Sequence, residues 1–268
     1  MSADRPKTWT SGRLALIVGV GALLAVAVAA FAVWFVFFSS SAPGGATIDE
    51  AAGVLESPSA AASSGSGSGT ASGSPAVSRG AGTADGVTGT WTVDTSVGSF
   101  DDYTSAWAGF RVNEVLQQIG DAEAIGRTPD VSGQLVIDGT TLQSGTISVD
   151  LTTIRSNQSR RDPAIQRSLQ TGSFPTATFE LTEPVDFGSV PADGQTVTVD
   201  ATGNLTIHGT TRELTIPLQT QVVNGHIVVV GSAPLTFTDF GITMPTAPVV
   251  VSVEDNGTIE FQLFFSRS

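Results

Sequence analysis

The residue types that carry most enzyme chemistry are scarce in this chain of 268 residues. Cysteine is absent, which removes disulfides, thiolate nucleophiles and cysteine-bound zinc together. Two histidines, His208 and His226, are too few for a multi-histidine metal centre. His208 lies in LTIHGTTREL just before Gly209, and His226 follows Asn224-Gly225, so both read as turn histidines at strand ends. The chain has no G-x-S-x-G elbow, no P-loop and no G-x-G-x-x-G ahead of a helix. Asp101-Asp102 reads as a solvated loop rather than a cation site, and nothing favours a glycosidase carboxylate pair. The cluster Arg160-Arg161-Asp162 offers two guanidinium groups in an acidic region. They could fork onto phosphate or a polar ligand head, or form a salt bridge at a helix start. No catalytic residue, metal ligand or cofactor motif emerges, and the expectation is a protein that is not an enzyme.

The elements that must position any site follow from composition. Residues 14–38 (LALIVGVGALLAVAVAAFAVWFVFF) carry no charge and no strongly polar side chain. As a helix at about 1.5 Å per residue the stretch spans the ~30 Å hydrocarbon core with some tilt. It is too long for a signal-peptide core and ends in no clean small-residue cleavage site, so it reads as an uncleaved anchor. Residues 1–13 carry Arg5, Lys7 and Arg13 against Asp4, a charge of +2, whereas the remainder carries −15. The positive-inside rule then places residues 1–13 in the cytoplasm and the C-terminal part outside, in a single-pass cell-membrane protein. The net charge of −13 also opposes nucleic-acid binding. Residues 39–88 are rich in Ser, Gly, Ala, Pro and Thr and read as a disordered linker, with a reach of roughly 40 Å.

From residue 89 to 268 apolar and polar residues alternate with period two. Ile147, Val149 and Leu151 alternate with Thr146, Ser148 and Asp150; Val197, Val199 and Ala201 with Thr196, Thr198 and Asp200. Leu214, Ile216 and Leu218 repeat the pattern, as do Ile259, Phe261, Leu263 and Phe265. Such strands have one buried and one wet face, as antiparallel sheets do. Asp138-Gly139, Asp193-Gly194, Asn224-Gly225 and Asn256-Gly257 supply turns between them, and VVNGHIVVV is the clearest hairpin. About eight to ten strands in a sandwich or closed barrel are expected. One segment, Ser159 to Gly172, has helical spacing: Asp162 suits the N-cap, Pro163 the first turn and Gly172 the stop.

Motif order narrows this further. The chain reads GTWTVD (89–94), AGFRV (108–112), SGQLVIDGTTLQSGTISVDL (132–151), SRRD (159–162), FPTATFEL (174–181), GNLTIHGTTRELTIPL (203–218), FTDFGI (237–242) and a final TIEFQLFF. In this order it resembles the YceI-like family of polyisoprenoid-binding proteins, over 89–268 and not over the anchor or linker; the anchor–linker–domain layout resembles actinobacterial versions. The resemblance implies an all-β, lipocalin-like antiparallel barrel with one short helix, preceded by a single transmembrane helix and a disordered linker. It implies a lengthwise apolar pocket for an isoprenoid lipid or quinone, lined by Phe110, Val149, Phe174, Phe179, Val199, Leu205, Ile216, Phe237 and Phe261. Arg161, Asp162 and His208 would then lie near the pocket mouth. Many members carry a His after an F-x-[VI] step in the second strand, but here the stretch reads Phe110-Arg111-Val112-Asn113-Glu114.

Burial of a branched hydrocarbon is favourable by roughly 25 cal/mol per Å² and needs few directional contacts. The expectation is therefore a membrane-anchored extracytoplasmic binding protein whose partners are an apolar lipid and, through the anchor, the membrane. Pairing of two copies as a homodimer is compatible with the pattern. The rival expectation is an interaction or stress-response module whose barrel is filled by side chains. A lipid-modifying activity around His208 is the least favoured.

Overall fold

The computed structural model describes residues 42–56, 86–117, 119–245 and 250–268. The apolar stretch 14–38, and with it the expected anchor, lies outside the described residues. Among the described residues no helix is long and apolar enough to cross a membrane.

The alternating runs form twelve strands. They are β1 (Gly89–Val93), β2 (Trp107–Leu116), β3 (Gly120–Thr128), β4 (Val131–Asp138), β5 (Thr141–Asp150) and β6 (Arg155–Ser156). After these come β7 (Thr176–Leu181), β8 (Val185–Asp186), β9 (Val197–Ile207), β10 (Thr210–Val223), β11 (His226–Thr236) and β12 (Val250–Arg267). The order β1-β4-β5-β7-β9-β10-β11-β12 returns to β1, so eight antiparallel strands close a barrel. β12 serves two neighbours: Phe265–Arg267 pairs with β1, while its earlier part pairs with β2, which carries β3 and then β6. Closure gives each of the eight barrel strands a partner on both sides and encloses a lumen able to hold side chains or a ligand.

Among the described residues there are two short α-helices rather than one: α1 (Ile48–Glu56) and α2 (Asp162–Ser168). α1 lies inside the stretch expected to be a disordered linker, which therefore holds for none of residues 48–56. Ile48, Ala51 and Ala52 are buried against the outer wall of the barrel, and that burial orders the segment. The remainder of the expected linker up to residue 85, apart from residues 42–47, lies outside the described residues.

α2 forms where helical spacing predicts, but with different ends. Arg161 occupies the N-cap, because the Asp162 carboxylate turns back to accept from the Ser156 N–H at 2.8 Å and its hydroxyl at 2.6 Å. The helix ends at Ser168, and Gln170, at φ 47°, supplies the left-handed residue expected of Gly172.

Asn224 (φ 50°) and Gly225 (φ 82°) make the expected tight hairpin. Asn256-Gly257 makes no turn. It lies within β12, beside a bulge between Val253 and Gly257.

The expectation of one wet face also fails along β12. Glu260 and Gln262 point out of the barrel yet are only 3% and 4% exposed. Residues 43–56 and the loop before β2 cover them. Gln262 Nε2 donates to the carbonyls of Tyr103, Thr104 and Ser105 at 3.2, 3.3 and 3.0 Å.

Candidate functional site

The two ends of the barrel follow from strand register. At one end lie the β9–β10 turn (Ile207 opposite Thr210), the 3₁₀ turn Phe237–Phe240 and α2. At the other lie the β10–β11 turn and the irregular segment between β8 and β9. These are called the helix end and the loop end below.

A single apolar cavity runs between them. Leu151, Ile154, Leu169 and Ile242 line it at the helix end; Val87, Phe187, Pro191 and Val222 line it at the loop end. The cavity volume is about 230 Å³. Among the described lining residues the only ionisable one is Glu260, whose side chain is engaged by arginines on the outer wall.

The lumen stays empty because its aromatic rings lie along its wall. Phe261 sits directly opposite Gly231, and a Cβ built on that glycine would fall 2.5 Å from the Phe261 ring. Phe110 opposes Gly126 in the same way, with a Cβ at 2.6 Å, and Phe237 covers Gly257 at 2.6 Å. Phe179 lies over Gly203. Each ring occupies the shelf a neighbouring side chain would fill, so four large residues narrow the lumen less than their size suggests.

Eight of the nine residues expected to line the pocket do so: Phe110, Val149, Phe179, Val199, Leu205, Ile216, Phe237 and Phe261. Phe174 does not. It precedes β7 and belongs to no strand, and its ring packs 4.6 Å from the His208 ring. Sequence reasoning missed the contributions of β4, β8 and β11, among them Leu135, Ile137, Val185 and Val229. The alternation Leu135–Ile137 in QLVID was the available signal.

The structure puts none of the three expected mouth residues on the cavity wall. Arg161, Asp162 and His208 all lie at the helix end, each with its own partners. His208 takes φ 53° in the β9–β10 turn, with Nδ1 3.3 Å from the Phe240 carbonyl oxygen. Arg161 Nη1 donates to Asn157 Oδ1 at 2.9 Å, and Nη2 pairs with Glu114. Glu114 stands on the face of β2 that carries Phe110 and Val112, beyond Val112. Burial pushes its carboxyl above the usual range, with the Arg161 charge and hydrogen bond opposing that rise. Between this ion pair and the cavity lies an apolar floor, in which Phe110 and Phe237 meet edge to face with centroids 6.4 Å apart. The helix end is thus closed by packing and by an ion pair that does not line the cavity.

The loop end is closed more lightly. Between Asp186 and Val197 the chain has no regular structure. It is tied by Phe187 N–H to the Thr140 carbonyl at 3.0 Å and Gly194 N–H to the Val222 carbonyl at 2.7 Å. Opposite it, Val87 is held by Arg267, which donates to the carbonyls of Thr88 at 2.6 Å and Gly86 at 2.8 Å.

Comparison with known proteins agrees with this architecture. A UPF0312 protein of Pseudomonas paraeruginosa is 32% identical over 149 residues, which is 52% of this chain and 74% of that protein. A UPF0312 protein of Pseudomonas aeruginosa is 31% identical over the same length and shares. Among solved structures, a polyisoprenoid binding domain from Saccharophagus degradans implicated in plant cell wall breakdown superimposes with a TM-score of 0.50. It is 16% identical, covering 66% of this chain and 98% of that one, and so supports the fold. The YceI-like domain matches residues 91–265, nearly the whole barrel from Trp91 to Phe265, and the chain belongs to that family.

Proposed function

We propose that this chain binds an apolar isoprenoid lipid, a polyisoprenoid or a quinone-like molecule, inside its barrel and acts as a carrier or store rather than as an enzyme. The observation that carries this reading is the continuous lumen walled by aliphatic and aromatic side chains from one end of the barrel to the other. A long hydrocarbon gains burial along its whole length there, while a polar solute finds few hydrogen-bond partners. The described relation to a polyisoprenoid binding domain points the same way. The competing reading, a module with a filled core, requires side chains to occupy the space that the glycine shelves leave open.

The ligand lies with its tail tip on the apolar floor of the helix end and its head at the loop end, which has the thinner cover. The stretch 14–38 anchors the chain in the cell membrane, with the barrel on the extracytoplasmic side, where it can take lipid from the adjacent leaflet. The test is titration of residues 43–268 with a fluorescent polyprenol, followed by competition with unlabelled polyprenol, menaquinone and a short-chain alcohol. Saturable binding displaced by the long isoprenoids and not by the short alcohol is expected. Failure of every long isoprenoid to bind would sink the reading.

A further inference from the structure

Residues 43–56 lie outside the span matched by the family, yet they belong to one compact unit with the barrel, Pro43–Ser268. Two sets of contacts hold them. At their start, the outer wall carries a buried ionic cluster: Glu260 accepts from Arg111 Nε and Arg127 Nη2, both at 2.7 Å. Both guanidiniums also reach the segment: Arg111 Nη2 donates to the Pro43 carbonyl at 2.5 Å, and Arg127 Nη2, shared with Glu260, to the Gly44 carbonyl at 2.6 Å. Farther on, α1 lies across β10 and β11, and Asn224 Nδ2 donates to the Leu55 carbonyl at 2.9 Å. Ala51 is 0% exposed, and Val228 and Phe264 on the outer wall are equally covered. The arginine pair shares Glu260, Arg111 Nη1 also reaches Glu123 at 2.8 Å, and the segment supplies two further acceptors.

We propose that residues 43–56 are a strap that ties the barrel close to the bilayer, so that residues 57–85 do not set its reach. This rests on the reading of 14–38 as the membrane anchor. With the strap docked, five residue steps separate Phe38 from Pro43, at most about 17 Å of extended chain. With the strap released, 48 steps separate Phe38 from Gly86, at most about 160 Å of extended chain. Docking therefore limits the tether between the anchor and the barrel to those five steps, and release lengthens it to 48.

The test uses the full chain in phosphatidylcholine vesicles containing a trace of headgroup-labelled acceptor lipid. The chain lacks cysteine, so a donor dye attaches uniquely at Glu183→Cys, an exposed barrel position. The undocking variant is Ala51→Arg with Ala52→Arg; a second replaces residues 48–56 by glycine and serine, in case the arginines unfold the barrel. The wild type is expected to show strong energy transfer and slow hydrogen exchange at amides 51–55. Both variants should lose at least half the transfer and all of that protection. Fast exchange of those amides in the wild type, or equal transfer in wild type and variants, overturns the strap. Failure of the intact chain to float with vesicles overturns the anchor reading instead, and the amide protection then still tests the docking.

Discussion

The two ends of the lumen are closed by different physics. The helix end carries a short helix, a 3₁₀ turn, an edge-to-face aromatic pair and the Arg161–Glu114 ion pair, layered over an apolar floor. The loop end carries an irregular segment whose Phe187 and Pro191 reach the cavity, and the short run around Val87. At the helix end Arg161 is held by Glu114 and Asn157 off the cavity wall, while His208 Nε2 is buried without a partner; at the loop end a few backbone hydrogen bonds hold the cover. Layers that share buried contacts open together at high cost, whereas a lightly tied segment opens locally. Under the proposed function, the difference assigns stability to one end and ligand exchange to the other.

The sharpest way to break this comparison is Arg161→Ala. It leaves Glu114 buried without its partner, and removal of one member of a buried pair costs up to about 3–5 kcal/mol. Glu114 can relieve part of this by taking up a proton, so a loss of about 2–4 kcal/mol is expected, seen as a lower denaturant midpoint with an unchanged slope. Lipid content should not change, because neither residue lines the cavity. A variant of normal stability that has lost its lipid would reverse the roles of the two ends.

Gly231→Val tests the space that both ends enclose. The added side chain drives the Phe261 ring off its shelf into the lumen, an overpacking cost of about 1–3 kcal/mol. Bound lipid should fall much further than stability does. An unchanged lipid load, measured by extraction, would contradict the glycine-shelf account. Phe187→Ala tests the thinner cover. Stability should change by less than about 1 kcal/mol, since the residue is half-buried on an irregular loop, while lipid release in stopped-flow transfer to acceptor vesicles accelerates several-fold. The same truncation on the floor, Phe110→Ala, should lower stability more than it speeds release.

The smallest effect concerns pH. The Glu114 carboxyl titrates above the usual glutamate range in the folded chain. Between the ordinary value near 4.5 and the raised one, the folded chain keeps a proton that the unfolded chain has lost. Stability therefore falls as pH rises through that window. Glu114→Gln should flatten this slope, read as the pH dependence of the thermal midpoint, without altering lipid binding.

The strand wall was legible because period-two alternation is a direct record of which face is buried. Val149, Val199, Leu205, Ile216 and Phe261 fall on the lumen for that reason. Phe174 misled because a motif position carries no facing direction: it precedes Pro175, outside any strand. The covering of the outer wall was hidden in composition. Yet Ile48, Ala51, Ala52 and Leu55 follow the i, i+3, i+4, i+7 spacing of an amphipathic helix, and Asp49 and Glu50 favour its first turn. That signal was present within a Ser, Gly and Ala background. The Arg161–Glu114 pair spans 47 residues of sequence, and only the fold brings it together. The Gly231–Phe261 contact is likewise invisible until β11 and β12 are in register.

The most direct test of the central claim is native mass spectrometry of residues 43–268, produced in a host that makes isoprenoids, with wild type and Gly231→Val side by side. A stoichiometric apolar adduct on the wild type, identified as an isoprenoid after organic extraction and absent from the variant, is the predicted result. A bare wild-type protein that remains bare after incubation with menaquinone and undecaprenyl lipids would contradict it.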